Sequence, residues 1–176
     1  MCIRDSFFIT TGKIGAPAFM SRAQILELHA RGHVVGSHTR SHPHWMSDLS
    51  PAALHEEWRT SICDLEDIVG APVTTASVPG GATSREVTLA ARKAGIRVLF
   101  NSQPTSTTSE VEGCLVLGRF AVRNQTTAEQ AAALVHGTGS ARLAQRAKWM
   151  AKGLVKRHAR SAWEKLYNWR LGEPAS

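Results

Sequence analysis

The chain has 176 residues, 43% of them hydrophobic, with 21 Lys/Arg against 14 Asp/Glu and a formal net charge of +7. That length and composition suit one soluble-type domain with a proper core. They exclude a nucleic-acid footprint spread over the body: residues 1–136 are neutral, and the nine Lys/Arg against two acids in residues 137–176 carry the whole excess.

Cys2, Cys63 and Cys114 are widely spaced and form no Cys-x-x-Cys, which argues against a disulfide framework and a cysteine metal site. No apolar run approaches the roughly 18 residues needed to span a bilayer. Residues 1–6 offer neither a helix start nor a complete strand and read as a non-native head.

Residues 7–10 are a short apolar, β-rich run closed by Thr11-Gly12, the pattern of a buried parallel strand. Ser21 and Gln24 make a capping box for a helix carrying Ile25, Leu26 and Leu28, stopped at Gly32. Residues 34–38 form the next strand. Ser50-Pro51 then opens an amphipathic helix on Leu54, Trp58, Ile62, Leu65, Ile68 and Val69. Its polar face holds Glu56, Glu57, Arg59, Asp64 and Asp67, and it ends at Gly70. Residues 73–78 are a strand running into Pro79-Gly80-Gly81. Thr83 and Glu86 cap a helix that reaches about Ala94 and stops at Gly95. Residues 97–100, 114–117 and 120–122 are short strands, and Thr126 with Glu129 caps a helix carrying Ala131, Ala132, Leu134 and Val135.

This alternation predicts an α/β fold with parallel strands, in which ligands sit at the carboxyl ends of the strands. His38, Pro79-Gly80-Gly81 and Asn101-Ser102 lie at three such ends, so three loops are expected to converge on one site. The densest chemistry is in Gly36-Ser37-His38-Thr39-Arg40-Ser41-His42-Pro43. A His-x3-His spacing can bring two ring nitrogens to one ion; equally, two histidines can fall near each other on a polar loop.

Phe7-Phe8-Ile9-Thr10-Thr11-Gly12, the stretch from Leu26 to Gly32, the histidine segment, Glu57, Ser61, Leu65-Glu66 and Pro79-Gly80-Gly81 together resemble the polysaccharide deacetylase (NodB-homology, carbohydrate esterase) family. The likeness continues more weakly to Arg123 and covers more than half the chain; its specific part is the histidine motif. The resemblance implies a distorted (β/α) barrel, a divalent metal (zinc by default, with cobalt, nickel or manganese also fitting) and hydrolysis of an N- or O-acetyl group on a carbohydrate. His38 and His42 match its two metal-binding histidines.

In that family the third ligand and the base are adjacent aspartates in a Thr-Phe-Asp-Asp-Gly segment after the first strand. That segment is not in this chain, and Asp5 stands at the wrong place. A whole barrel also takes about 200 residues or more. The expectation is therefore a partial barrel over residues 7–136, lacking its first strand or strands, with no catalytic residue of its own and little or no activity. A non-catalytic carbohydrate-binding or scaffold domain is the alternative reading. Neither bacterial compartment, cytoplasm or envelope, is singled out.

Ser77 stands where many family members have an arginine, and Ser77-Val78-Pro79-Gly80-Gly81 resembles a Pro-Gly-Gly subgroup. Pro79, Gly80, Gly81 and Thr39 are the candidate substrate-binding residues, although the glycines read equally as a plain strand-ending turn. Leu134-Val135-His136 superficially matches the family's Leu-x-His motif, which would make His136 a general acid. A histidine before Gly137 also reads as a helix C-terminal residue favoured by the dipole. His44 is a candidate accessory of the metal loop; His29, His33, His55 and His158 have no partner pattern.

Residues 137–176 predict a basic amphipathic helical tail. Leu143, Ala147, Met150, Leu154, Val155, Trp163, Leu166 and Trp169 form its stripe, with Arg142, Arg146, Lys148, Lys152, Lys156, Arg157 and Arg160 between them. Such a helix can lie on an anionic membrane surface or pack against its own domain.

Overall fold

In a computed structural model, residues 4–81 and 83–158 are described. The chain divides into two compact units, residues 1–119 and 120–176.

The first unit is a six-stranded sheet in the order β1-β2-β3-β4-β6-β5, built from β1 (Ser6–Ile9), β2 (Val34–Ser37), β3 (Thr75–Ser77), β4 (Val98–Phe100), β5 (Ser109–Val111) and β6 (Cys114–Leu117). Every neighbouring pair is parallel except β5 with β6, which form an antiparallel hairpin. Helices α1 (Arg22–Ala30), α2 (Pro51–Val69) and α3 (Arg85–Lys93) connect the parallel strands. The α/β class with a parallel sheet follows from this alternation, as the residue pattern predicts.

Local chemistry sets the helix ends. Ser21 and Gln24 form a full capping box on α1. Ser50 caps α2 by accepting from Ala53 N, Pro51 takes the first helical position, and Gly70 closes the helix in the left-handed region at φ 67. Trp58, Leu54, Ile62 and Leu65 from α2 are buried with Ile25, Val87, Ala91, Ile96 and Leu99 in one core. Burying such side chains contributes on the order of 2 kcal/mol apiece.

The sheet curls. Phe8 on β1 and Phe100 on β4 sit three strands apart, yet their ring centroids are 5.4 Å apart. A flat sheet would separate those strands by about 14 Å. Gly36 on β2 permits the approach: a Cβ there would meet the Phe8 ring at 2.9 Å and Thr75 O at 2.8 Å. The open, curled sheet is what a partial barrel requires.

Several boundaries differ from the sequence pattern. Residues 120–122 are not a strand. Ala121 N donates to Gln145 Oε1 at 2.9 Å and Ala121 O accepts from Gln145 Nε2 at 2.8 Å, so a side-chain amide takes the place of a neighbouring strand. Ser109–Val111, polar and short, is a strand that carries no apolar alternation to announce it. Two caps move by one residue. Ser84, not Thr83, caps α3, and Thr127 with Gln130, not Thr126 with Glu129, caps α4 (Ala128–His136). Both threonine pairs have capping-box spacing, and Thr126 is instead spent accepting from Arg123 N.

In the second unit α4 is followed by α5 (Ala141–His158). Leu143, Met150, Leu154 and Val155 of the expected stripe are exposed; Arg160, Trp163, Leu166 and Trp169 lie outside the described residues. No helix among the described residues is long and apolar enough to cross a membrane.

Candidate metal centre

The site begins where β2 ends. Ser37 is fully buried, and its hydroxyl donates to Ser61 Oγ on α2 at 2.8 Å while accepting from Thr39 N at 3.1 Å. The chain then enters the left-handed region at Thr39 (φ 64) and again at His42 (φ 61). For non-glycine residues that conformation costs roughly 1–2 kcal/mol each. Thr39 is buried, and its hydroxyl accepts from His42 N at 3.2 Å, which ties the two strained residues together.

The loop is clamped from two sides. On one, Thr11 N donates to Thr39 O at 3.2 Å and Gly12 N to Arg40 O at 2.9 Å. A Cβ at Gly12 would lie 2.8 Å from that same carbonyl, so only glycine allows the approach. On the other, Arg40 N and Ser41 N both donate to Glu57 Oε2, at 3.0 and 2.9 Å, and Ser41 Oγ donates to Glu57 Oε1 at 2.7 Å. A hydrogen bond to a charged group contributes about 1.5–3 kcal/mol when shielded, and less at this partly exposed position. Three of them together match the backbone strain.

This clamped loop brings the two histidines together. Their ring centroids are 5.0 Å apart and the rings tilt by 61°. Two imidazoles on one tetrahedral ion, with metal–nitrogen bonds of about 2.0–2.1 Å, have centroids about 5 Å apart, so the spacing fits a shared cation.

His38 has the chemistry of a ligand. Its Nδ1 lies 2.7 Å from Ser77 O and 3.0 Å from Ser77 Oγ. A carbonyl can only accept, so Nδ1 carries the proton and Nε2 is the nitrogen with a free lone pair. Burial is the main force lowering the pKa to about 4; the Ser77 carbonyl opposes it, and His42 and Arg119 add to it. The imidazole is therefore neutral at pH 7, as metal binding demands.

The other candidates are placed as follows. Pro79, Gly80 and Gly81 form a tight turn after β3, with φ of 63 at Gly80 and 71 at Gly81. Gly81 O accepts from Ser102 N at 3.1 Å, and a Cβ on Gly81 would collide with the Ser102 side chain at 2.1 Å. A Cβ on Gly80 would lie 3.8 Å from His44 O. The Pro-Gly-Gly turn thus adjoins both the histidine loop and the end of β4. His136 is exposed in the last turn of α4, in the second unit, followed by Gly137 at φ 71. Among the described residues no group of three or more His, Cys, Asp or Glu could hold a metal ion.

Two contacts around the site go beyond what sequence reasoning assigned. Glu57 stands in the sequence both on the polar face of its helix and among the residues of the family resemblance, with no contact assigned to it; in the structure it accepts three hydrogen bonds from the histidine loop. Arg119, just past β6, lays its guanidinium 5.9 Å from the Phe8 ring centroid on the curled face, fixed by an Nε bond to Asn101 O at 2.9 Å. Membership in the family resemblance was the available signal for Glu57; the contacts of Arg119 had none.

Comparison with known proteins agrees with this fold. A polysaccharide deacetylase from Bacillus cereus superposes with a TM-score of 0.67 at 23% identity, over 75% of this chain and 42% of that one. A Streptococcus pyogenes deacetylase solved with acetate gives 0.64 at 20%, over 72% and 56%. A de-N-acetylase from Aggregatibacter actinomycetemcomitans gives 0.60 at 14%, over 73% and 64%. The chain thus spans about half the length of these structures, and at such identities they establish the fold. No curated protein matches. The polysaccharide deacetylase family pattern matches residues 3–99, which contain β1 to β3, the start of β4, the histidine loop and its α2 clamp, and the chain therefore belongs to the polysaccharide deacetylase family.

Proposed function

We propose that this domain serves a metal-dependent hydrolase that removes N- or O-acetyl groups from a polysaccharide or sugar conjugate, with His38 and His42 as two ligands of a divalent ion, zinc by default. The observation that carries the reading is the pair of imidazole rings 5.0 Å apart, one anchored through Nδ1 to Ser77 O so that its other nitrogen is bare.

A divalent ion held there supplies Lewis acidity toward an acetyl carbonyl and toward water. The chain's own residues do the rest of what is present. Ser77 fixes the tautomer and direction of the His38 ring. Burial keeps that ring neutral. The Pro-Gly-Gly turn presents backbone beside the histidine loop, where an acetylated sugar would sit. A catalytic zinc usually takes three protein ligands. With two histidines and no third group beside them among the described residues, this chain is expected to bind metal weakly and to turn over slowly or not at all.

The test is metal content and cobalt(II) or zinc(II) titration of the chain beside His38→Ala and His42→Ala, with acetate release from N-acetylglucosamine oligomers measured in parallel. Wild-type binding with a stoichiometry near one, lost in both variants, supports the reading. Equal binding in all three proteins sinks it.

A further inference from the structure

Resting on the reading of His38 and His42 as a ligand pair, we propose that Glu57 is a positioning residue for that pair, through which α2 holds the histidine loop in its binding shape. The loop passes through left-handed backbone at both Thr39 and His42, a conformation that non-glycine residues keep only where their surroundings enforce it. Its carbonyl side is enforced by Thr11 N and Gly12 N. Its amide side, the N–H groups of Arg40 and Ser41 midway between the histidines, is enforced by Glu57 Oε2, while Oε1 takes the Ser41 hydroxyl.

Both carboxylate oxygens are thus committed to the two residues whose backbone sets the separation of the rings. The carrier is rigid as well. Glu57 precedes Trp58, which is fully buried in the core, so the carboxylate is fixed to the best-packed part of the first unit. Glu57 acts on the ion through the loop, as an outer support that orients the ligands themselves.

The acceptor pattern separates two substitutions. Glu57→Ala removes all three bonds. Glu57→Gln can keep them, its Oε1 accepting from both N–H groups and its Nε2 donating to Ser41 Oγ. In cobalt(II) titrations of the full chain, Glu57→Ala should bind at least tenfold more weakly than wild type and Glu57→Gln within about threefold. Ile62→Val, a core change of small cost to stability, should leave cobalt affinity unchanged. In the metal-free protein, the nuclear Overhauser contact between the His38 and His42 rings should persist in Glu57→Gln and fade in Glu57→Ala. Cobalt affinity and ring contact both unaltered in Glu57→Ala overturn the proposal, and so does an affinity loss matched by Ile62→Val. Should wild type bind no cobalt at all, the metal reading falls, and the ring contact alone then decides whether Glu57 positions the pair.

Discussion

His38 concentrates the physics of the site in one side chain. Burial of its imidazole lowers its pKa from an ordinary 6.5 to about 4, against the opposing hydrogen bond to the Ser77 carbonyl. In the unfolded chain it would take up a proton near pH 6.5, whereas the folded protein refuses that proton until about pH 4. Between those values the unfolded state binds more protons, so stability falls as the pH is lowered and recovers as it is raised. The metal-free protein should therefore lose up to about 3 kcal/mol from this residue between pH 6.5 and pH 4, and nothing from it above pH 6.5. Urea unfolding of wild type and His38→Gln at pH 7 and pH 4.5 checks this: the variant should show a shallower pH dependence. A His38 ring titrating near 6.5 by NMR would show that burial does not govern it.

α2 is the element that joins the core to the site. One face carries Leu54, Trp58, Ile62 and Leu65 into the interior, and Glu57 and Ser61 reach the histidine loop and the end of β2. Trp58 is fully buried, and its indole N–H has no hydrogen-bond partner among the described residues. Trp58→Ala should cost about 3–5 kcal/mol, the range for an aromatic deleted from a core. Trp58→Phe removes the unsatisfied donor along with some volume, and should cost less than half as much. Chemical denaturation of the two variants measures the difference. Equal losses would mean that the indole N–H is satisfied in solution.

At the scale of the molecule, the hydrophobic core runs from Ile9 to Cys114 and belongs to the first unit. Deleting residues 120–176 should leave cooperative unfolding and cobalt affinity within about twofold of the full chain. A large loss of affinity would mean that the second unit supplies a ligand. Much of the fold was legible in the chain itself, because helix caps, apolar periodicity and glycine stops are local signals: Ser21-Gln24, Ser50-Pro51 and Gly70 each act within one helical turn. Overlapping local signals were ambiguous for the same reason, as Thr126 and Thr127 illustrate. The His38-x3-His42 spacing, too, was visible as a pair of residue types able to ligate. What the sequence could not determine is what depends on distant partners. The curl that brings Phe8 to Phe100, the Ser77 carbonyl that selects the His38 tautomer and the Glu57 carboxylate that holds the loop all join residues far apart in the chain. Such contacts exist only once the sheet has formed and curled, because no local pattern records which carbonyl or carboxylate a folded neighbour will present.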